Sequence, residues 1–264
     1  MTQKQIGVKH PLIKHFLKLK KGSKEYPNSF IAEGAWMIEK LMHSDALVDS
    51  LFICEDLLTR SQADLVKSLA DKSEHVFLIS KKIATQISEK DNGSAILAII
   101  TKIGRSLDTI LSESERVVIL DGLESHGNIG TIFRTCDASK VDAVLIVNEK
   151  AKINNHMVIK SSMGGCFHVP WTIVDSVGAC EQALKTHGFT TVLATPDAKV
   201  DFRHAPTFSK PAVIVGNERY GISTEWDRQS SFQISIPMHG VCDSLNVGVA
   251  ASIIIYDLSM RKNA

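Results

Sequence analysis

Three short stretches in the second half of the chain carry side chains able to do chemistry. They are Asn128-Ile-Gly-Thr-Ile-Phe-Arg134, Gly216-Asn-Glu-Arg-Tyr-Gly221, and Ser235-Ile-Pro-Met-His-Gly240 followed by Ser244-Leu-Asn-Val247. Arg134 brings a planar guanidinium that stays charged and can clamp phosphate, or an oxygen gathering negative charge, through paired hydrogen bonds. Asn128, Glu218, Ser244 and Asn246 add amide, carboxylate and hydroxyl groups. Each also has a purely structural use: Asn and Ser cap helices, Glu suits a first helical turn, and an arginine often makes a surface ion pair.

The elements that must position these groups can be read from the apolar runs. Val117 to Leu120, Ala212 to Val215 and Phe232 to Ile236 are β-branched or aromatic and give way to glycine and polar residues. That is the pattern of a parallel sheet whose strand ends carry a site. Strands are predicted at 117–121, 143–147, 190–194, 212–216 and 232–236, alternating with helices, and a last helix runs from about Leu245 to Met260. Upstream, Phe30 to Ala32, Trp36 to Met42, Leu51 to Cys54, Ala63 to Leu69, Val76 to Ile79, Lys82 to Ile87 and Ile96 to Ile100 alternate as βαβαβαβ, a small α/β unit of its own. The charged, serine-containing stretch between them reads as a linker with a short helix around Leu107 to Leu111. The expected division is 1–100, linker 101–115, and 116–264.

Composition narrows the classes. With 264 residues, 44% hydrophobic content and a net charge of +1, the chain can bury two modest cores, and nucleic acid must be met by local patches rather than bulk charge. One patch is plain: Lys4, Lys9, Lys14, Lys18, Lys20, Lys21 and Lys24 lie near the start with His10 and His15 and no carboxylate side chain among them. Ile13, Phe16, Leu17 and Leu19 give the same stretch an apolar side, so one face can pack while the other meets phosphate. The five cysteines are scattered and form no C-x-x-C, and the ten histidines form no H-E-x-x-H, so buried thiols and no metal are expected. No apolar run approaches the roughly 20 residues of a membrane span, and the expected location is the cytoplasm. No G-x-G-x-x-G follows the first strand of the second half, which argues against a dinucleotide site.

In order and spacing the three stretches resemble the motifs of the SpoU/TrmH class of SPOUT RNA methyltransferases. Ser161-Ser-Met-Gly-Gly-Cys-Phe-His-Val-Pro170 is similar to the segment that precedes that family's third strand. More loosely, Pro11-Leu-Ile-Lys with Phe30-Ile-Ala-Glu-Gly34 resembles the ribosomal-protein-like substrate-binding domain of rRNA-directed members, and the layout is similar to the thiostrepton-resistance type of rRNA methyltransferase.

The resemblance implies an α/β, trefoil-knotted parallel-sheet catalytic domain after a small α/β RNA-binding domain, moving a methyl group from S-adenosyl-L-methionine to a ribose 2′-hydroxyl of RNA. It gives Arg134 the hydroxyl and substrate phosphate, as base or as electrostatic clamp. Asn128 would orient that arginine or the ribose, Glu218 would hold the active-site loops and the hydroxyl-bearing substrate, and Ser244 and Asn246 would hydrogen-bond near the arginine and substrate. The cofactor would lie among Leu193, Ala194, Thr195, Gly216, Asn217, Ile236, Pro237, Met238 and Leu245. Gly248 stands where members often carry serine. Ribosomal RNA is the favoured partner; transfer RNA, a base-methylating relative, and an inactive RNA-binding or assembly factor of the same fold remain the alternatives. The last helix, apolar nearly all round from Val247 to Leu258, is expected to build a homodimer.

Overall fold

The computed structural model describes residues 4–23, 25–102 and 105–261. The chain divides into two compact units, Met1–Ile103 with Lys152–His168, and Gly104–Ala151 with Val169–Ala264.

The first unit runs β1 (Lys4–Gln5), α1 (Pro11–Lys20), β2 (Ser29–Glu33), α2 (Ala35–Leu41), β3 (Leu47–Ile53), α3 (Ala63–Lys72), β4 (Ser73–Leu78), α4 (Lys81–Ile87) and β5 (Ile96–Thr101). Every strand and helix expected from its pattern is present. The sheet order is β1-β4-β3-β5-β2, with β5 antiparallel to both of its neighbours. In α1, Pro11 occupies the first turn, where its missing N–H costs nothing. The helix buries Ile13, Phe16 and Leu19, each stabilising by about 1.5–3 kcal/mol relative to exposure.

The opposite face of α1 is not uniformly free. Lys14 and Lys21 are exposed, as are Lys4 and Lys9 on the approach to the helix. Lys18 pairs with Glu25 at 3.1 Å, and Lys20 is drawn inward to Glu89 at 2.7 Å and the Ser88 carbonyl at 3.0 Å. Lys24 lies outside the described residues.

From residue 105 the chain forms α5 (Leu107–Glu113), β6 (Val117–Asp121), α6 (His126–Ala138) and β7 (Ala143–Val147). Two short helices follow, α7 (His156–Ser161) and α8 (Gly165–His168), and both belong to the first unit. Asn154 donates there to the Ser23 and Tyr26 carbonyls, and Asn155 to the Lys21 carbonyl. A sequence expected in the second domain therefore completes the first. Between the two sheets, β5 reaches Thr101 and the buried Ile110 and Leu111 of α5 join the second core.

The second unit continues with β8 (Trp171–Ile173), α9 (Val177–Thr186), β9 (Thr190–Ala194), β10 (Pro211–Val215), β11 (Phe232–Ile234) and α10 (Val247–Met260). Its six strands are all parallel, in the order β11-β9-β10-β6-β7-β8. Every residue of β6, β7 and β10 is buried, as befits parallel strands covered on both faces. Alternate residues such as Val117, Ile119, Leu145 and Ile214 pack with α5, α9 and Trp226 on one face. On the other, α10 lies against α6 and β10. From β6 the chain winds outward through β7 and β8, then crosses to β9 and β10 on the other side. The switch point is thus between β6 and β10, where α/β sheets place their ligand crevices.

Cys54, Cys136, Cys166 and Cys180 are buried, and burial pushes the Cys166 and Cys180 thiols up to about 11 and about 12. Cys242 is exposed, against the expectation that all five are buried.

Candidate active site

The site grows from the start of α6. Ser125 caps this helix, its hydroxyl accepting from the N–H of Asn128, so Asn128 sits inside the first turn and is not the cap. That frees its carboxamide. Asn128 Nδ2 donates to Glu218 Oε1 at 2.9 Å, and Asn128 Oδ1 accepts from Asn246 Nδ2 at 3.1 Å. Asn246 is the cap of α10, its Oδ1 accepting from the N–H groups of Gly248 and Val249 at 2.9 and 3.3 Å. Its cap role and its place in the site are therefore one arrangement: the cap fixes the oxygen and aims the NH₂ at Asn128.

Glu218 closes the network from the loop after β10. Its oxygens also accept from the N–H groups of Glu124 and Ser125, both at 3.1 Å. Partial desolvation favours the neutral acid, but the Asn128 amide and the two main-chain donors outweigh it and hold the carboxyl below the ordinary glutamate range. The preceding Asn217 binds the same two loops together. Its Nδ2 donates to the Gly122 carbonyl at 2.7 Å, while its Oδ1 accepts from the N–H groups of Arg219 and Tyr220. Mutual hydrogen bonds of 2.9 Å join the main chains of Asn217 and Gly221. This turn folds so tightly over Gly216 that a Cβ there would collide with the main chain of Gly221 and Ile222.

Motif reading missed Asp121. This buried carboxylate at the end of β6 accepts from Asn148 Nδ2 at 2.8 Å, the Ser223 N–H at 2.7 Å and Trp226 Nε1 at 3.0 Å, joining the ends of β6 and β7 to the loop after β10. The signal was present as an acidic residue closing an apolar strand, since a buried carboxylate demands several donors.

Two expected catalytic residues are not brought into this network. Ser244 is exposed and, among the described residues, reaches only its neighbour Asp243 at 3.5 Å. Arg134 lies in the third turn of α6, exposed, with no hydrogen bond or ion pair among the described residues. At 100° per residue it points about 120° round the helix from Asn128. The face of Asn128 continues instead through Thr131 and Thr135 toward α10, where Thr135 meets the Ser252 hydroxyl at 2.7 Å. A Cβ on Gly248 would stand 3.3 Å from Thr131 Cγ2, so its lack of a side chain admits this close helix approach.

The cofactor residues gather by register. Leu193 stands opposite Ile214 and Gln233, so β9, β10 and β11 end at one edge, with Thr195, Gly216 and Ile236 just beyond. Leu193 is fully buried in the sheet and so offers main chain only; Ala194 is half-buried, and Thr195 uses its N–H on the Ile234 carbonyl. Ile236, Pro237 and Met238 are half-buried and Leu245 is exposed. From Ile236 to Leu245 the main chain makes no hydrogen bond among the described residues. Apolar side chains beside unspent amides and carbonyls suit a flat ring with a hydrogen-bonding edge, as adenine has.

Fold and site together define a methyltransferase domain of the SPOUT type. Residues 115–256 match the model of the SpoU rRNA methylase family, and residues 10–98 match an MRM3-like substrate binding domain. The chain is 26% identical over 257 residues to the 23S rRNA (guanosine(2553)-2′-O)-methyltransferase RlmP of Bacillus subtilis, covering 97% of this chain and 99% of that one. Among solved structures it is similar in fold to an AdoMet-bound rRNA methyltransferase from Sinorhizobium meliloti, with a TM-score of 0.85, 24% identity and 97% of each chain covered. It is likewise similar to the SpoU methyltransferase AviRb from Streptomyces viridochromogenes in complex with AdoMet, with a TM-score of 0.85, 22% identity, and 95% of this chain and 97% of that one covered. The chain belongs to the SpoU rRNA methylase family.

Proposed function

We propose that this protein transfers the methyl group of S-adenosyl-L-methionine to a ribose 2′-hydroxyl of 23S rRNA, in the cytoplasm. The observation that carries the reading is the Glu218–Asn128–Asn246 chain of hydrogen bonds at the switch point of a parallel sheet. When bound, the cofactor supplies a methyl carbon on a sulfonium, whose leaving group is a neutral thioether. The residues around it must align a poor nucleophile and stabilise the charge that develops on its oxygen. Asn128 and Asn246 offer preset amides for the ribose. Glu218 has both oxygens engaged and is held ionised, so it fixes the loops and does not accept the hydroxyl proton. Arg134 acts as the clamp on phosphate and developing alkoxide, because a guanidinium offers paired donors and not a base. Ser244 contributes its exposed hydroxyl when the RNA arrives.

Because Arg134 points away from the amide network of its own chain, it serves the site of a second copy. The surface for that copy is on α10. Val249, Ile253, Tyr256 and Met260 recur at helical spacing, and Val249, Tyr256 and Met260 are exposed while Ile254, Ile255 and Leu258 face inward. The proposed homodimer buries this stripe. The trefoil knot is supported by the chain path: β11 lies at the outer edge beside β9, and the following segment returns to α6, where Asn246 meets Asn128.

RNA is held through the first unit, with Lys4, Lys9, Lys14 and Lys21 as the exposed cations and Lys20 as a structural one. The test is incorporation of labelled methyl into protein-free 23S rRNA and into tRNA, followed by alkaline hydrolysis. Label in an alkali-resistant dinucleotide from 23S rRNA is the expected result. Label only in tRNA, or label on a base in a nucleotide that alkali still cleaves, overturns the reading.

A further inference from the structure

We infer that Tyr220 is a stacking platform for an unpaired RNA base next to the target ribose. The inference rests on the RNA-methyltransferase reading above. Tyr220 follows Glu218 by two residues in the Asn217–Gly221 turn, and that turn is locked by the Asn217 side chain, the Asn217–Gly221 main-chain pair and the close packing over Gly216. A turn held this firmly nevertheless leaves Tyr220 69% exposed. Its phenol hydroxyl has no hydrogen-bond partner among the described residues. The ring therefore contributes neither to the core nor to a hydrogen-bond network among the described residues.

Two cations attend it: Lys150 Nζ lies 5.3 Å and Arg219 Cζ 5.3 Å from the ring centroid. Lys150 also reaches Glu124 at 2.9 Å, whereas the Arg219 guanidinium makes no ion pair among the described residues. Both cations lie over the exposed ring, so an incoming base takes the place of one of them on the ring while its phosphate draws that cation aside. An accessible aromatic ring beside positive charge is how proteins hold single-stranded nucleic acid. The rigidity of the turn means little ordering cost is added on binding. The charge fits a polyanion and disfavours a buried protein interface, where an unpaired guanidinium would be desolvated.

The experiment compares wild type, Tyr220→Phe and Tyr220→Leu. It reads steady-state methylation of protein-free 23S rRNA, quenching of a single-stranded RNA dodecamer carrying 2-aminopurine, and S-adenosylmethionine affinity by calorimetry. Stacking energies predict that Tyr220→Leu raises KM for the rRNA roughly ten- to hundred-fold and abolishes the quench. Tyr220→Phe keeps both, and cofactor affinity stays at the wild-type value in each. Wild-type KM and quench in Tyr220→Leu overturn the platform, as does equal damage in Tyr220→Phe, which would make the hydroxyl the active group. Loss of the dimer on sedimentation of Tyr220→Leu also overturns it, by assigning the ring to an interface. If the wild type quenches the dodecamer but methylates no RNA, the methyltransferase reading fails and the platform stands.

Discussion

Asn246 at the cap of α10 donates its side-chain amide to Asn128 of α6 at 3.1 Å, joining residues 118 positions apart in the chain. Through Asn128 the connection reaches Glu218, so one line of hydrogen bonds couples the ends of β6, β10 and the final helix. A double-mutant cycle with Asn128→Ala and Asn246→Ala is expected to show coupling of about 0.5–3 kcal/mol in transition-state stabilisation. Additive losses in kcat/KM would show that the two amides act separately.

Arg134→Ala should abolish methyl transfer with cofactor affinity and melting temperature nearly unchanged, and Arg134→Lys should fail as well because an ammonium lacks the planar fork. If the arginine serves the second copy, mixing Arg134→Ala with Glu218→Gln subunits restores one intact site per mixed dimer, about a quarter of wild-type activity at random exchange. No recovery on mixing would place the arginine in its own chain's site.

The pH dependence has a definite sign. Glu218 has a carboxyl held below its unfolded value, so its contribution is full above the ordinary glutamate value of about 4.3 and is lost as pH falls through the lower folded value. Glu218→Gln keeps one acceptor oxygen for the Ser125 N–H and Asn128 but turns its NH₂ against the Glu124 N–H, and should cost about 1–2 kcal/mol at neutral pH after allowing for its exposure. Urea titrations of the two proteins should converge as the pH is lowered through that window. A difference that grows with acid would contradict the assignment.

Gly216→Ala should be among the most damaging single-methyl changes in the chain, because the obstructing atoms are main chain and cannot rotate away. A loss of more than about 2 kcal/mol is expected, with weakened cofactor binding because the turn must open. Chemical denaturation and calorimetry read the two effects separately.

Tyr256→Glu changes an exposed position of the α10 stripe and should give a folded, inactive monomer, whereas Ile254→Asp buries a charge inside the subunit and should unfold it. Sedimentation and circular dichroism distinguish the two outcomes. An active monomer of either the wild type or Tyr256→Glu would end the dimer proposal.

Charge reversal at Lys14 and Lys21 should weaken RNA binding by a similar factor for all sequences and flatten its salt dependence, as expected of phosphate contacts. Lys20→Glu should act on stability instead, since it breaks the pairing with Glu89 and the Ser88 carbonyl. Removing residues 1–100 would not be a clean deletion. Val158, Ile159 and Phe167, buried in the first unit, would lose their surroundings.

The sequence by itself determined the strands and helices and the identity of the site motifs. Runs such as Val117 to Leu120 and Ala212 to Val215 can satisfy their hydrophobicity only in a doubly covered sheet, and Asn246 before an apolar helix reads as its cap. Tertiary structure decided what these groups touch. Whether Asn128 caps its own helix or reaches Glu218 depends on Ser125 taking the cap. Whether Lys20 meets RNA or Glu89 depends on the connection from α4 to β5, far along the chain. The membership of residues 152–168 in the first unit depends on Asn154 and Asn155 meeting the carbonyls after α1. Local pattern records how much of a segment is buried. The partner across a hundred residues is set by which elements pack together, and that competition has no periodicity to read.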